Sequence, residues 1–294
     1  VGRAISLAES GSPEGVLLLK SLYPCGGRAR IVGFTGPPGA GKSTLIEAVA
    51  LRLLEGGARV GIVAVDPTSP FTGGALLGDR IRMQALYLHP RAFIRSMATR
   101  GNLGGLSAMT LDAVDILDAA GFDWILVETI GVGQDEVDVA SCVQAVALVL
   151  VPGLGDDIQA LKAGVMEIAD LFVVNKADRE GADQTAAELE TLIRMGVSGV
   201  EPPPPIVKTV APARQGIEEL VARLEEVHHR LSLPGRAREK ALRRARARLS
   251  RLVEGRFSAH IQNSPTWSGK VEAVASRRTD PYSACEAILK EALC

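Results

Sequence analysis

Metal chemistry built on sulfur and imidazole has little to draw on in this sequence. Only four cysteines and four histidines occur among 294 residues. Cys25, Cys142, Cys285 and Cys294 are scattered without a Cys-x-x-Cys spacing, and among the histidines only His228 and His229 adjoin. This excludes a zinc ribbon and a disulfide framework, and suits reduced thiols in the cytosol, with the cysteines read as small buried hydrophobes. Long apolar runs are missing too. The longest, Ala145–Val151, falls far short of the ~20 residues that span a bilayer. Charge of one sign is not in excess: 33 basic against 34 acidic residues leave a net charge of −1, so no global field draws the chain to nucleic acid or to an anionic membrane. No signal peptide is visible, since Val1–Lys20 reads as an amphipathic helical segment carrying Arg3, Glu9 and Glu14. A cytoplasmic location is expected. The chain starts at Val1 rather than Met, which leaves residues upstream an open matter.

Apolar residues make up 47% and charged residues 23%, which excludes wholesale disorder. The length suits one large domain with appendages or two modest ones. Apolar runs suggest strands at Ile31–Gly36, Val60–Asp66, Ala92–Met97, Asp123–Thr129, Ala145–Val151, Leu171–Asn175 and Ile206–Val210. Several are almost continuously apolar, as strands buried on both faces of a parallel sheet should be. Helical stretches at Lys42–Glu55, Ser107–Ala120, Gln184–Met195 and Ile217–Leu231 separate them. Strand followed by helix, repeated, predicts an α/β fold with a doubly wound, mostly parallel sheet. The expected organisation is a helical arm over residues 1–27, an α/β domain over 28–231 and a helical extension over 232–294. In that extension Arg236–Phe257 and Pro281–Leu293 read as helices. Leu242, Leu249 and Leu252 recur at helical spacing among the arginines, which favours a solvated basic face on a packed helix over a nucleic-acid site. A helix with such a stripe docks on the main domain or on a second subunit.

Gly36-Pro37-Pro38-Gly39-Ala40-Gly41-Lys42-Ser43 matches G-x-x-x-x-G-K-[ST], between an apolar strand and a helix. Its glycines let backbone N–H groups turn toward phosphate oxygens, and the helix N-terminus adds its dipole. Lys42 would reach the β- and γ-phosphates, and the Ser43 hydroxyl would ligate Mg²⁺. Asn175-Lys176-Ala177-Asp178 ends a later strand. A carboxylate there accepts two hydrogen bonds from guanine, a donor pair that adenine lacks. Lys176 can lie along the base, and Asn175 can tie this loop to the phosphate loop; Asp178 could also simply cap a helix. Val210-Ala211 lies where guanine-binding proteins offer a backbone N–H to the base oxygen, with valine in place of the usual serine. Glu128, after the four apolar residues Trp124–Val127, faces the nucleotide crevice and can hold Mg²⁺ or its water shell, with a surface carboxylate as the alternative. Gly131 permits close backbone approach to the γ-phosphate. Asp66 and Asp79 are two further acids for an octahedral magnesium shell, or helix caps.

Together these segments resemble one family, the MeaB/ArgK-type GTPases associated with methylmalonyl-CoA mutase. The likeness is carried by Thr35 to Thr44, Val65 to Pro70, Leu77 to Met83, Glu128 to Gln134, Gly155 to Gly164 and Asn175 to Asp178. It extends to Arg3–Glu9 and to Pro281–Leu289 in the tail. The resemblance implies a P-loop GTPase of SIMIBI type, with an N-terminal helical arm and a C-terminal helical dimerisation extension. It also implies GTP and GDP as ligands, Mg²⁺, a homodimer, and slow hydrolysis accelerated by an adenosylcobalamin-dependent acyl-CoA mutase. The cobalamin would be met only through that partner. By position, Asp66, Asp79 and Glu128 match the family's acidic magnesium cluster, while Asp156, Asp157, Gln159 and Lys162 match a switch coupled to the partner. Gln134 is a candidate to orient the attacking water. Three rival readings are a nucleotide-dependent kinase linked to amino-acid transport, a metallochaperone GTPase and a nucleotide-binding scaffold that does not hydrolyse GTP. The first should not need Asn175-Lys176-Ala177-Asp178, and the second would need a Cys/His cluster.

Overall fold

A computed structural model describes residues 1–66, 83–98, 108–129, 142–153, 165–195 and 202–292. Seven strands form its sheet: β1 (Arg30–Thr35), β2 (Val60–Asp66), β3 (Ala92–Ala98), β4 (Trp124–Glu128), β5 (Ala145–Leu150), β6 (Leu171–Asn175) and β7 (Ile206–Thr209). Their spatial order is β3-β2-β4-β1-β5-β6-β7, and every pair is parallel. After β4 the chain passes over β1 to reach β5 and then builds outward. The C-terminal ends of β1 and β4 therefore lie where the winding direction changes, the place at which open α/β sheets take ligands.

Both faces of the sheet are covered. Alternation along β4 shows why: Trp124 and Leu126 join one apolar cluster with Leu45 and Val49 of helix α3 (Lys42–Glu55), whereas Ile125 and Val127 join another with Val114 and Leu117. A strand sends successive side chains to opposite faces, so a fully apolar strand needs two partners. The second cluster also takes Ile5 and Ala8 of α1 (Gly2–Glu9).

The amphipathic helical segment expected over residues 1–20 is built of two helices. Helix α2 (Pro13–Leu22) restarts at Ser12, whose hydroxyl accepts from the Gly15 N–H at 3.2 Å, with Pro13 in the first turn. That cap and the fixed φ of proline favour a new helix start over continuation. The cysteine reading needs correction as well. Cys142 is buried, but Cys25 and Cys285 are exposed.

By internal contacts the chain divides into Val1–Arg244 and Ala245–Cys294. The helix expected over 236–257 runs longer, from Pro234 to Gln262, and none of its residues is fully buried. Leu242 and Leu249 on it are 61% and 63% exposed, and Leu252 is 36% exposed. In the second unit, Trp267–Ala275 is a helix that the sequence reading did not anticipate, followed by Pro281–Ala292. Glu291 joins them, taking Lys270 Nζ at 2.6 Å and the Thr266 hydroxyl at 2.9 Å. Among the described residues no helix is long and apolar enough to cross a membrane.

Candidate functional site

The loop between β1 and α3 is shaped by glycine. Gly36 has φ +138°, and a Cβ placed there would come within 2.0 Å of the Val149 carbonyl oxygen on β5. Only glycine lets the loop lie so close to the neighbouring strand. Gly36→Ala is therefore expected to lift the loop off β5, costing about 1–3 kcal/mol of stability together with nucleotide binding. A thermal melt and a nucleotide titration check it; unchanged values in both would show that the loop relaxes freely. Gly41 (φ +84°) sits directly before α3, where a Cβ would stand 2.7 Å from Asn175 Nδ2. The first turn of any helix carries N–H groups without an intrahelical acceptor, and the dipole adds to their attraction for an anion.

Lys42 is buried, at 6% exposure. Its Nζ donates to the carbonyls of Gly36 at 2.7 Å and Pro37 at 3.1 Å, which holds the ammonium over the loop. Ser43 Oγ donates to Glu128 Oε1 at 2.6 Å. A hydroxyl and a carboxylate, 85 residues apart in sequence, thus meet beside the phosphate loop. Hard oxygen donors of this kind suit Mg²⁺, which keeps waters and takes few protein ligands. Pro38 and Gly39 are exposed at the loop tip, Ala40 is buried and Thr44 is exposed.

The second loop closes against the first. Asn175, at the end of β6, donates Nδ2 to the Ala40 carbonyl at 2.8 Å, while its Oδ1 accepts from Thr209 Oγ1 at 3.1 Å and from the Ala211 N–H at 3.3 Å. These contacts assign the amide orientation and lock three loops together. Lys176 takes the left-handed φ of +56° and donates Nζ to the Gly39 carbonyl at 2.7 Å. Asp178 is exposed beyond it. Val210 exchanges backbone bonds with Gln215, at 3.1 and 3.3 Å. The N–H groups of Val210 and Ala211, read from sequence as facing a base, are thus both engaged within the protein.

Glu128, Lys42, Ser43, Asn175 and Lys176 are brought together at one edge of the sheet. Asp66 ends β2 on the same edge, since β2 and β4 pair with Ala64 opposite Glu128; its side chain lies outside the description. Asp79, Gly131, Gln134, Asp156, Asp157, Gln159 and Lys162 lie outside the described residues. Sequence reasoning missed Thr209 as the group that orients Asn175. A threonine at a strand end carries no local signal for a partner 34 residues away.

A sequence model described as methylmalonyl-CoA mutase-associated GTPase MeaB matches residues 1–266. The chain is 48% identical to a Pyrococcus abyssi protein classed by name among GTPases, over 98% of this chain and 91% of that one. It is 42% identical to GTPase ArgK of Escherichia coli, over 63% of this chain and 57% of that one. The mouse methylmalonic aciduria type A homolog, a mitochondrial protein, is 34% identical over 88% of this chain and 64% of its own length. Among solved structures, the one described as LAO/AO transport system kinase is similar over 100% of this chain and 92% of that one, with a TM-score of 0.73 and 25% identity. HypB from Helicobacter pylori, solved with nickel, shares the fold at a TM-score of 0.52 and 16% identity. A phosphate loop, a strand-end glutamate and an N-K-x-D loop on one parallel sheet, with the match over residues 1–266, place this chain in the MeaB family of GTPases.

Proposed function

We propose that this member of the family is a Mg²⁺-dependent GTPase that acts as chaperone to an adenosylcobalamin-dependent acyl-CoA mutase. In that role it gates cofactor loading and protects the mutase. The observation that carries the GTP reading is the closure of the Asn175-Lys176-Ala177-Asp178 loop on the phosphate loop, through Asn175 to Ala40 and Lys176 to Gly39. This closure supports a reading in which Asp178, in the same loop, meets the base of a nucleotide whose phosphates lie in the first loop. The mutase reading is supported by the family's description and by the mouse relative's name.

In this reading the residues 36–44 wrap the phosphates. Lys42 leaves the Gly36 and Pro37 carbonyls for the β- and γ-phosphate oxygens, where it stabilises charge that develops as the terminal bond breaks. Ser43 and Glu128, with Asp66 and Asp79, would hold Mg²⁺, which supplies Lewis-acid neutralisation of phosphate charge. Gln134 would orient the attacking water. Val210 and Ala211 shape the base pocket through the Ala211–Asn175 bond. Slow unassisted turnover follows if the partner completes the site. Asp156, Asp157, Gln159 and Lys162 would carry nucleotide state to that partner, and the helical extension would form a homodimer in the cytoplasm.

Asp178→Asn is expected to weaken GTP binding roughly 10²-fold, the loss of two charge-assisted hydrogen bonds, while ATP binding stays as weak as before. Competition titrations with both nucleotides read this directly, and equal loss for both would remove Asp178 from base recognition.

The likeness to the transport-system kinase favours a second reading, an ATP-dependent kinase linked to amino-acid transport. The metallochaperone reading has fold likeness alone, and the described residues contain no cluster of three His, Cys, Asp or Glu able to hold a metal ion. One experiment separates the readings: phosphate release from GTP and from ATP, with and without a purified cobalamin-dependent mutase from the same source. GTP-specific turnover that the mutase accelerates is the expected result. Equal use of ATP favours the kinase, and GTP turnover that ignores the mutase removes the chaperone role.

A further inference from the structure

Strands β1 and β4 run in register with Phe34 opposite Glu128. The pairing continues one rung further, where the Thr129 N–H donates to the Phe34 carbonyl at 3.1 Å. At that rung the side chains join as well. Thr129 Oγ1 lies 3.0 Å from Thr35 Oγ1 and 3.4 Å from the Phe34 carbonyl oxygen. Both threonines are buried, at 0% and 2% exposure. A valine would fill either position with the same shape, and a buried hydroxyl needs a partner to offset its desolvation. Packing alone therefore does not account for a matched pair of hydroxyls here. Its position does. Thr35 directly precedes Gly36, and Thr129 directly follows Glu128, whose carboxylate takes the Ser43 hydroxyl at 2.6 Å.

We propose that Thr129 and Thr35 are positioning residues for the GTPase reaction, holding Glu128 at the distance from the phosphate loop at which it serves the magnesium shell with Ser43. The inference rests on the site reading given above and adds to it two residues that act through Glu128. The hydroxyl pair clamps the end of β4 to the end of β1. Without it, the backbone rung from Thr129 to Phe34 remains, but Glu128 gains lateral freedom relative to Ser43. Groups that orient a metal-binding carboxylate in this way typically change metal affinity or activity by about 10–100-fold.

The test uses the full chain and four variants: Thr129→Val, Thr129→Ser, Thr35→Val and Glu128→Gln. The first readout is the Mg²⁺ concentration giving half-maximal binding of a fluorescent GTP analogue, and the second is kcat and KM for GTP. Thr129→Val and Thr35→Val are each expected to raise the Mg²⁺ midpoint about tenfold. Both should lower kcat with KM nearly unchanged, and Thr129→Ser should restore both readouts. Glu128→Gln should raise the midpoint at least as far. If Glu128→Gln shifts the midpoint and both valine variants stay within twofold of the parent protein, the positioning role is overturned and the magnesium reading stands. If Glu128→Gln leaves it unmoved, the site assignment falls and the inference with it. Thr35→Val approaches the pair from the other strand, so misfolding of one variant leaves the question answerable by the other.

Discussion

Replacing Lys42 by alanine is expected to lower GTP turnover by about 10²–10³-fold, the usual loss when one preorganised donor to a developing anion is removed. The side chain is buried beside the phosphate loop and already gathers two carbonyl oxygens at 2.7 and 3.1 Å. Its ammonium is therefore desolvated and aimed before any phosphate arrives, which makes it worth more than a surface lysine. Arginine should not rescue it, because a planar fork cannot occupy the place of a compact point charge between two carbonyls. The fold itself is expected to hold, since α3 keeps its apolar face of Leu45, Ile46, Val49 and Leu53 in the core. Single-turnover phosphate release and a separate nucleotide-binding titration divide chemistry from affinity. Turnover within threefold of the parent protein would take Lys42 out of the mechanism.

The largest expected effect on stability lies at the opposite edge of the sheet. Asp170, just before β6, is 5% exposed and accepts Lys240 Nζ at 2.7 and 2.8 Å, together with the Val146 N–H at 3.0 Å. Lys240 also donates to the Gln144 carbonyl at 3.1 Å, and Gln144 in turn bridges Ile31, Ala29 and His228. Asp170→Ala leaves a half-buried ammonium and a buried N–H without their acceptor, which should cost about 3 kcal/mol. The lysine side chain keeps 33% exposure, so water offsets part of the full penalty for a broken buried pair. Lys240→Met with Asp170→Leu should recover much of the loss, because replacing both charges removes the unpaired one. Urea unfolding of Asp170→Leu, Lys240→Met and their double variant closes a cycle, with Asp170→Ala measured beside it. A cost below about 0.5 kcal/mol for Asp170→Ala would mark the pair as one more surface contact.

The elements nearest the chemistry were legible because their signals are local. Apolar runs that need cover on both faces give strands, and β2 and β6 have the bounds read from sequence. Helix Lys42–Glu55 is likewise framed by glycine on both sides. The missed helix Trp267–Ala275 lies among small and polar residues with Gly269 inside it, and shows a weak apolar period. The helical character of the arm was legible from its apolar spacing, and Ser12-Pro13 marks the start of its second helix. Buried cysteines were expected from the habits of the residue type, but Cys25 follows Pro24 in a short surface turn and Cys285 sits on an exposed helix.

The chain by itself determined that it folds as an α/β protein, where the phosphate loop and the N-K-x-D loop fall, and which acids end apolar strands. Each is written in residues close together, in spacing and backbone permissiveness. Only the tertiary structure decided the strand order β3-β2-β4-β1-β5-β6-β7, and with it which strand ends share an edge. From that order follow the Ser43–Glu128 contact across 85 residues and the Thr35–Thr129 pair across 94, while the helix carrying Lys240 brings it to Asp170 across 70. Parallel strands gain their partners through crossovers whose packing sets order and register, so contacts between side chains far apart in sequence exist only once the sheet has formed.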